Sequence, residues 1–242
     1  LRSGRTLATP ARAATETARR NLNGFDIDVL VAGATSGVAY YDPVELPAIS
    51  GSGNITYRVS SGTAVIVAAT GACVSCSSAG YTFNGFGTIS SAPSSGVPGT
   101  GYYVTGNGLL NIRNPAFGNC HGGHVIVDLG GKALVGGAVS VSGGVFGDAQ
   151  GAHLLAYGGG WIRGDDSLPP SLTVSGSIYV PHWIRCINAA TQVQYTSISG
   201  SAGVTARKFY VSANGTIITN GAGVNYYPGT EPGVADNGGV YL

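Results

Sequence analysis

The chain has no methionine and little charge: Asp, Glu, Lys and Arg make up 10% of its 242 residues, where soluble globular proteins average about a quarter. A surface so poor in charge is made polar by Ser, Thr, Asn and backbone groups, which argues against an ordinary α/β enzyme. The formal net charge is +1, so the basic stripe that displaces counterions from nucleic acid is missing and no nucleic-acid partner is expected. Long apolar runs are also missing. Ala64–Ala69 is among the longest, far short of the roughly 18 residues that span a bilayer, so no membrane insertion is expected. Disorder is disfavoured as well, because 43% of the residues are hydrophobic and the mean hydropathy is +0.21, enough apolar surface to bury. Leu1 is not an initiator, and the chain reads as processed or as part of something longer.

What the chain does have is glycine, 41 residues of it, spaced between short runs of small and β-branched residues. From Gly123 to Gly221 the segments HVIVDLGG, KALVGG, AVSVSGG, AHLLAYGGG, SLTVSGS and KFYVSANGTIITNG follow one another with a Gly, Asn or Asp turn after each. This is the signature of many short strands and no helix. Two all-β architectures satisfy it. In a sandwich or jelly roll the strands pack face to face. In a right-handed parallel β-helix or related β-solenoid, coils of roughly 20 to 25 residues stack at the strand spacing, about seven of them here, with small residues at the corners. The glycine texture favours the solenoid.

Four regions are expected. Residues 1–24 form a short helical stem: Thr9 is an N-cap, Pro10 occupies the first helical position and Gly24 follows the end. Its apolar face is mostly alanine, so it needs a partner surface or a copy of itself. Residues 25–49, with Pro43 and Pro47, read as an extended linker. Residues 50–205 form the solenoid shaft, with Ser90–Gly101 as its most loop-like excursion. Residues 206–242 are an aromatic tail that closes the open edges of the last coil.

Few residues suggest chemistry. Cys73 and Cys76, with Cys120 and His124, have the residue types of a tetrahedral metal site, but the second CxxC knuckle is missing. Buried thiols, or a disulfide among these or with Cys186, are the alternatives. Glycan cleavage needs two carboxyl groups about 5 to 9.5 Å apart, and Asp165, Asp166 and Asp148 are weak candidates beside Asp128, Glu45, Glu231 and Asp236. Adjacent acids in the GDDSLPP turn are more often turn-forming than catalytic. His153, His182, Trp161 and Trp183 neighbour apolar strands and read as core, with the indoles as alternative sugar-stacking platforms. No glycine cluster has phosphate-loop spacing, and no cofactor is expected.

The segment ARKFYVSANGTIITNGAGVNYYPGTEPGVADNGGVYL, Ala206–Leu242, resembles a C-terminal segment of tailed-bacteriophage tail-fibre and tailspike proteins. It has an aromatic strand (Phe209–Val211), an Asn214-Gly215 turn, a glycine-rich step (Gly221–Gly223), Pro228-Gly229 and a closing Gly238–Tyr241. The Ala/Arg-rich ATPARAATETARRNL is similar to the helical segment that precedes such domains. The resemblance implies a homotrimeric virion appendage that contacts other tail proteins and a host-surface glycan, with Tyr226, Tyr227 and Tyr241 as contact residues. It also admits a polysaccharide depolymerase, or a secreted bacterial adhesin or filament subunit.

Overall fold

A computed structural model describes residues 9–18, 22, 24–34, 36–49, 52–78, 80–92, 99–147 and 149–242. The chain is a parallel β-solenoid of about eight coils. Three sheets run its length: sheet one has nine strands, from Ile27–Ala32 to Val240–Tyr241, sheet two seven, from Ala39–Tyr41 to Ile198–Ser199, and sheet three eight, from Val44–Leu46 to Val234–Ala235. Neighbouring strands in every sheet come from successive coils and pair parallel. One residue of each coil therefore lies over its counterpart in the last: in sheet one Ile55, Tyr81, Leu110, Ala133, Ile162, Thr191 and Ile217 form a single inward column. Every member of that column is fully buried. The offset between coils varies from 22 residues (Ala64 to Phe86) to 33 (Ala138 to Ser171), the excess going to turns.

Glycine sets the corners where the backbone must turn left-handed against the coil below. At Gly200 φ is +73°, and an added Cβ would collide with the Val174 carbonyl oxygen, so no side chain fits. Inside the rod, rings stack between coils: Tyr57 on Phe83 at 4.7 Å, Phe117 on His124 at 5.0 Å and His153 on Trp183 at 4.4 Å. Edge contacts through Tyr102 and between the two histidines join these pairs into one column.

Three expected boundaries change. Residues 25–49 are the first coil, with strands at Ile27–Ala32, Ala39–Tyr41 and Val44–Leu46. Pro43 and Pro47 flank strands rather than interrupt them, so they break no ladder. The helix, α1 (Pro10–Ala18), is capped as expected, Thr9 Oγ1 accepting from the Arg12 N–H at 3.2 Å. It is no free stem, however. It packs on the first coil with Ala13 and Ala14 buried, and Thr17 Oγ1 lies 3.4 Å from the Tyr57 hydroxyl, so its alanine face finds its partner within the chain. At the other end, Val204–Ser212, Thr216–Ile217, Val234–Ala235 and Val240–Tyr241 continue the winding across the 205/206 boundary. No helix among the described residues is long and apolar enough to cross a membrane.

Candidate binding groove

Charge is distributed unequally around the rod. The seven strands of sheet two contain no Asp, Glu, Lys or Arg, and small uncharged residues such as Ala138, Ser140, Ser171, Thr173 and Ser199 occupy its later strands. Sheet three carries Arg185, Arg207 and Lys208 on its two longest strands, Ile178–Ile187 and Val204–Ser212. These strands pair with His182 opposite Arg207 and Arg185 opposite Tyr210, after the register slips by one residue between Tyr179 and His182. Such a bulge re-aims side chains.

On this face lies a groove of about 360 Å³ whose lining includes Tyr179, His182, Arg185, Arg207, Tyr210 and Glu231. Its cations are oriented by neighbours. Arg185 donates from Nη1 to the Gln150 carbonyl at 2.9 Å and lies 5.5 Å over the Tyr210 ring. Arg207 meets the Glu231 carboxylate at 3.3 Å, and the Tyr210 hydroxyl donates to Asp236 at 3.2 Å. His182 donates from Nδ1 to the Gly151 carbonyl at 3.3 Å. Burial, reinforced by the two guanidinium groups, holds its pKa below the ordinary imidazole value, so the ring is a neutral floor. Tyr179, half exposed, stands at the rim.

Asp165 and Asp166 lie on a second groove of about 440 Å³, beside Gln192 and Gln194, but their carboxylates are engaged. Asp165 accepts from Arg113 Nε at 3.0 Å, from the Ser167 N–H at 2.9 Å and from the Ser167 hydroxyl at 2.6 Å. Burial alone would raise its pKa, but these partners outweigh burial and hold it below the usual carboxylate range. Asp166 pairs with Arg163. A glycosidase acid requires a raised pKa, and Asp165 is shifted the opposite way. Asp128 takes the Leu129 N–H and the Tyr103 hydroxyl, and Asp148 lies outside the described residues.

Cys73, Cys76, Cys120 and His124 do not converge, and among the described residues no three ligand-type side chains do. All four cysteines are free and buried. The Cys73 thiol donates to the Ile89 carbonyl at 3.0 Å and the Cys76 thiol to the Ser78 carbonyl at 2.8 Å. Burial pushes their pKa values up to about 12 and about 11. Both nitrogens of His124 are used, Nδ1 by His153 Nδ1 at 2.8 Å and Nε2 by the Gly118 carbonyl at 3.0 Å. Trp183 is fully buried against His153 and forms no sugar platform, whereas Trp161 lies under Arg163.

Each of the three tail tyrosines donates a hydrogen bond to a backbone carbonyl within the chain. Tyr227 is 1% exposed and donates to the Val193 carbonyl at 2.9 Å. Tyr226 donates to the Tyr195 carbonyl at 2.9 Å and Tyr241 to the Gly223 carbonyl at 2.8 Å, with the Tyr241 ring stacked on Phe209 at 3.9 Å. Tyr227 is thus no exposed contact residue, whereas Tyr226 and Tyr241 are half-buried with their hydroxyls engaged within the chain. The groove residues Arg185 and Arg207 escaped the sequence reading. Their juxtaposition depends on a register between coils, and the only trace in the sequence is an arginine in each of two long strands. No protein-family model, curated protein or solved structure matches the chain.

Proposed function

We propose that this chain is the shaft of an extracellular attachment appendage, a tail-fibre or tailspike component of a tailed-phage virion. In this reading it winds right-handed, its tyrosine-bearing tail closes one end, and it assembles as a homotrimer beside other tail proteins. The observation that carries the proposal is the unequal clothing of the rod: one complete sheet is free of charge while the other two carry polar and charged side chains. An uncharged face can close against its own copies about a three-fold axis without burying ions. The charged sheets then face outward toward a host-surface glycan. Weak sites repeated on three chains gain avidity without new contacts.

Native mass spectrometry tests this. The expected species is three times the 24.2 kDa chain mass, and Thr173→Arg, which places a cation in sheet two, is expected to release monomers of unchanged circular dichroism. Fluorescently labelled trimers are expected to decorate host cells more than the monomeric variant does. A wild-type monomer at micromolar concentration overturns the trimeric appendage and favours a monomeric secreted adhesin.

A further inference from the structure

We infer that the second groove, on sheet one, recognises a neutral saccharide, whose hydroxyl groups are hydrogen-bonded by the amide side chains of Gln192, Gln194 and Asn220. The inference rests on the attachment reading only for the presence of a glycan on the target; the neutral, hydroxyl-rich chemistry comes from the groove.

Gln192 ends the strand Ala190–Gln192 and lies opposite Arg163 in the ladder. The alternation of the strand runs on beyond it: Val193 and Tyr195 are buried, while Gln194 and Thr196 face out. Gln192, Gln194 and Thr196 therefore line one face, two residues apart. One coil on, Asn220 reaches Gln194, its Nδ2 donating to Oε1 at 2.9 Å. The turn at 165–170 completes the lining and is tied to the same segment, the Pro170 carbonyl accepting from the Thr196 N–H at 2.8 Å and from its hydroxyl at 3.2 Å. The tail holds the segment as well. Tyr226 Oη accepts from the Tyr195 N–H and donates to the Tyr195 carbonyl at 2.9 Å, and Tyr227 donates to the Val193 carbonyl at 2.9 Å. A backbone fixed in this way has little freedom left to lose on binding.

The ionic groups of the lining are matched within the chain, Arg163 by Asp166 and Asp165 by Arg113 and Ser167. What is left over is amide. Among the described residues the Gln192 side chain makes no hydrogen bond, and neither the Gln194 NH₂ group nor Asn220 Oδ1 has a partner. Amides set donors beside acceptors, the complement of sugar hydroxyls, which do both. A carboxylate or phosphate would find no unmatched cation here, and would meet the Asp166 side chain, 76% exposed. A peptide fits poorly too. The strands Trp161–Gly164 and Ala190–Gln192 are each paired on both sides, so no edge is open to strand addition, and of the lining rings Pro170 and Tyr195 are buried, with Pro169 alone exposed. The volume of about 440 Å³ is within the range of sites for small ligands, about 300–1,000 Å³.

The test displays the biotinylated full chain on streptavidin over an array of neutral, uronate-bearing and phosphorylated oligosaccharides and of synthetic peptides. The neutral glycan with the strongest signal is then titrated calorimetrically, and the same preparation is applied to host cells. Neutral glycans are expected to give the strongest signals on the array, with a Kd of about 1 mM or tighter for the best of them. Gln192→Ala and Gln194→Ala are each expected to weaken that binding at least about threefold, and the double variant at least about tenfold. Arg58→Gln, exposed on an early strand of the same sheet, is expected to leave it unchanged. Circular dichroism confirms that each variant is folded. Acidic glycans or peptides bound above the neutral glycans overturn the inference, as does an unchanged affinity in the double variant. Binding of no glycan while cells are still decorated overturns the groove and spares the attachment reading; neutral-glycan binding that the double variant loses, without decoration of cells, does the reverse.

Discussion

His124, His153 and Tyr195 illustrate how much one buried polar residue dictates about its neighbours. Because His124 Nε2 faces the Gly118 carbonyl, it carries the proton and Nδ1 must accept; His153 then donates from Nδ1 and accepts at Nε2 from the Tyr195 hydroxyl, 3.3 Å away. The chain of bonds runs in one direction and holds only while both rings are neutral. Burial lowers the His124 pKa from 6.5 to about 4, and burial together with His124 lowers that of His153. The unfolded chain takes up protons near 6.5, which the folded chain refuses, so stability is complete above that pH and falls as the pH drops from 6.5 toward 4. The expected loss is up to about 2.7 kcal/mol per pH unit from the two rings, with His182 adding to the same window. Urea midpoints at pH 7, 6 and 5 check this. In His124→Phe/His153→Phe the slope is expected to shrink markedly, and an unchanged slope contradicts the assignment. Asp165→Asn weakens the bonds from Arg113 and is expected to cost about 1–2 kcal/mol in a urea titration at pH 7.

Single elements were legible where chemistry is local. The Thr9 cap with Pro10 marks the start of α1, and alternation marks strands such as Ala64–Ala68, whose side chains alternate between buried and half-buried. What was not legible depends on other coils. Residues 25–49 look like a linker because nothing local shows that Ile27 lies over Ile55. The alanine face of α1 looks unpartnered because the surface that covers it is built by strands farther along the chain. Corners are where local and distant constraints meet. Gly200→Ala puts a side chain both into left-handed backbone and against the coil below, and is expected to cost more than the ~1 kcal/mol typical of strained glycine replacement. A Gly176→Ala variant separates the two effects: its φ is +79°, but nothing lies within 4 Å of the added Cβ. Thermal melts of both are expected to show the larger drop for Gly200→Ala, and equal drops contradict the collision.

At the scale of the whole molecule, the glycine spacing was enough to favour a solenoid over a sandwich, but it could not count the coils. Their offset changes between 22 and 33 residues along the chain, so no fixed period exists to be read. The groove is hidden for the same reason: His182 and Arg207 become neighbours only once a register is known. The register also determines how the rod responds to force. Its backbone hydrogen bonds point from coil to coil, along the long axis, so an end-to-end pull opens one rung after another, whereas a sideways push is shared by many strands at once. The interior rings from Tyr57 to Trp183 touch across successive coils and add side-chain contact to each rung, leaving the molecule stiff in bending and weakest when peeled from an end.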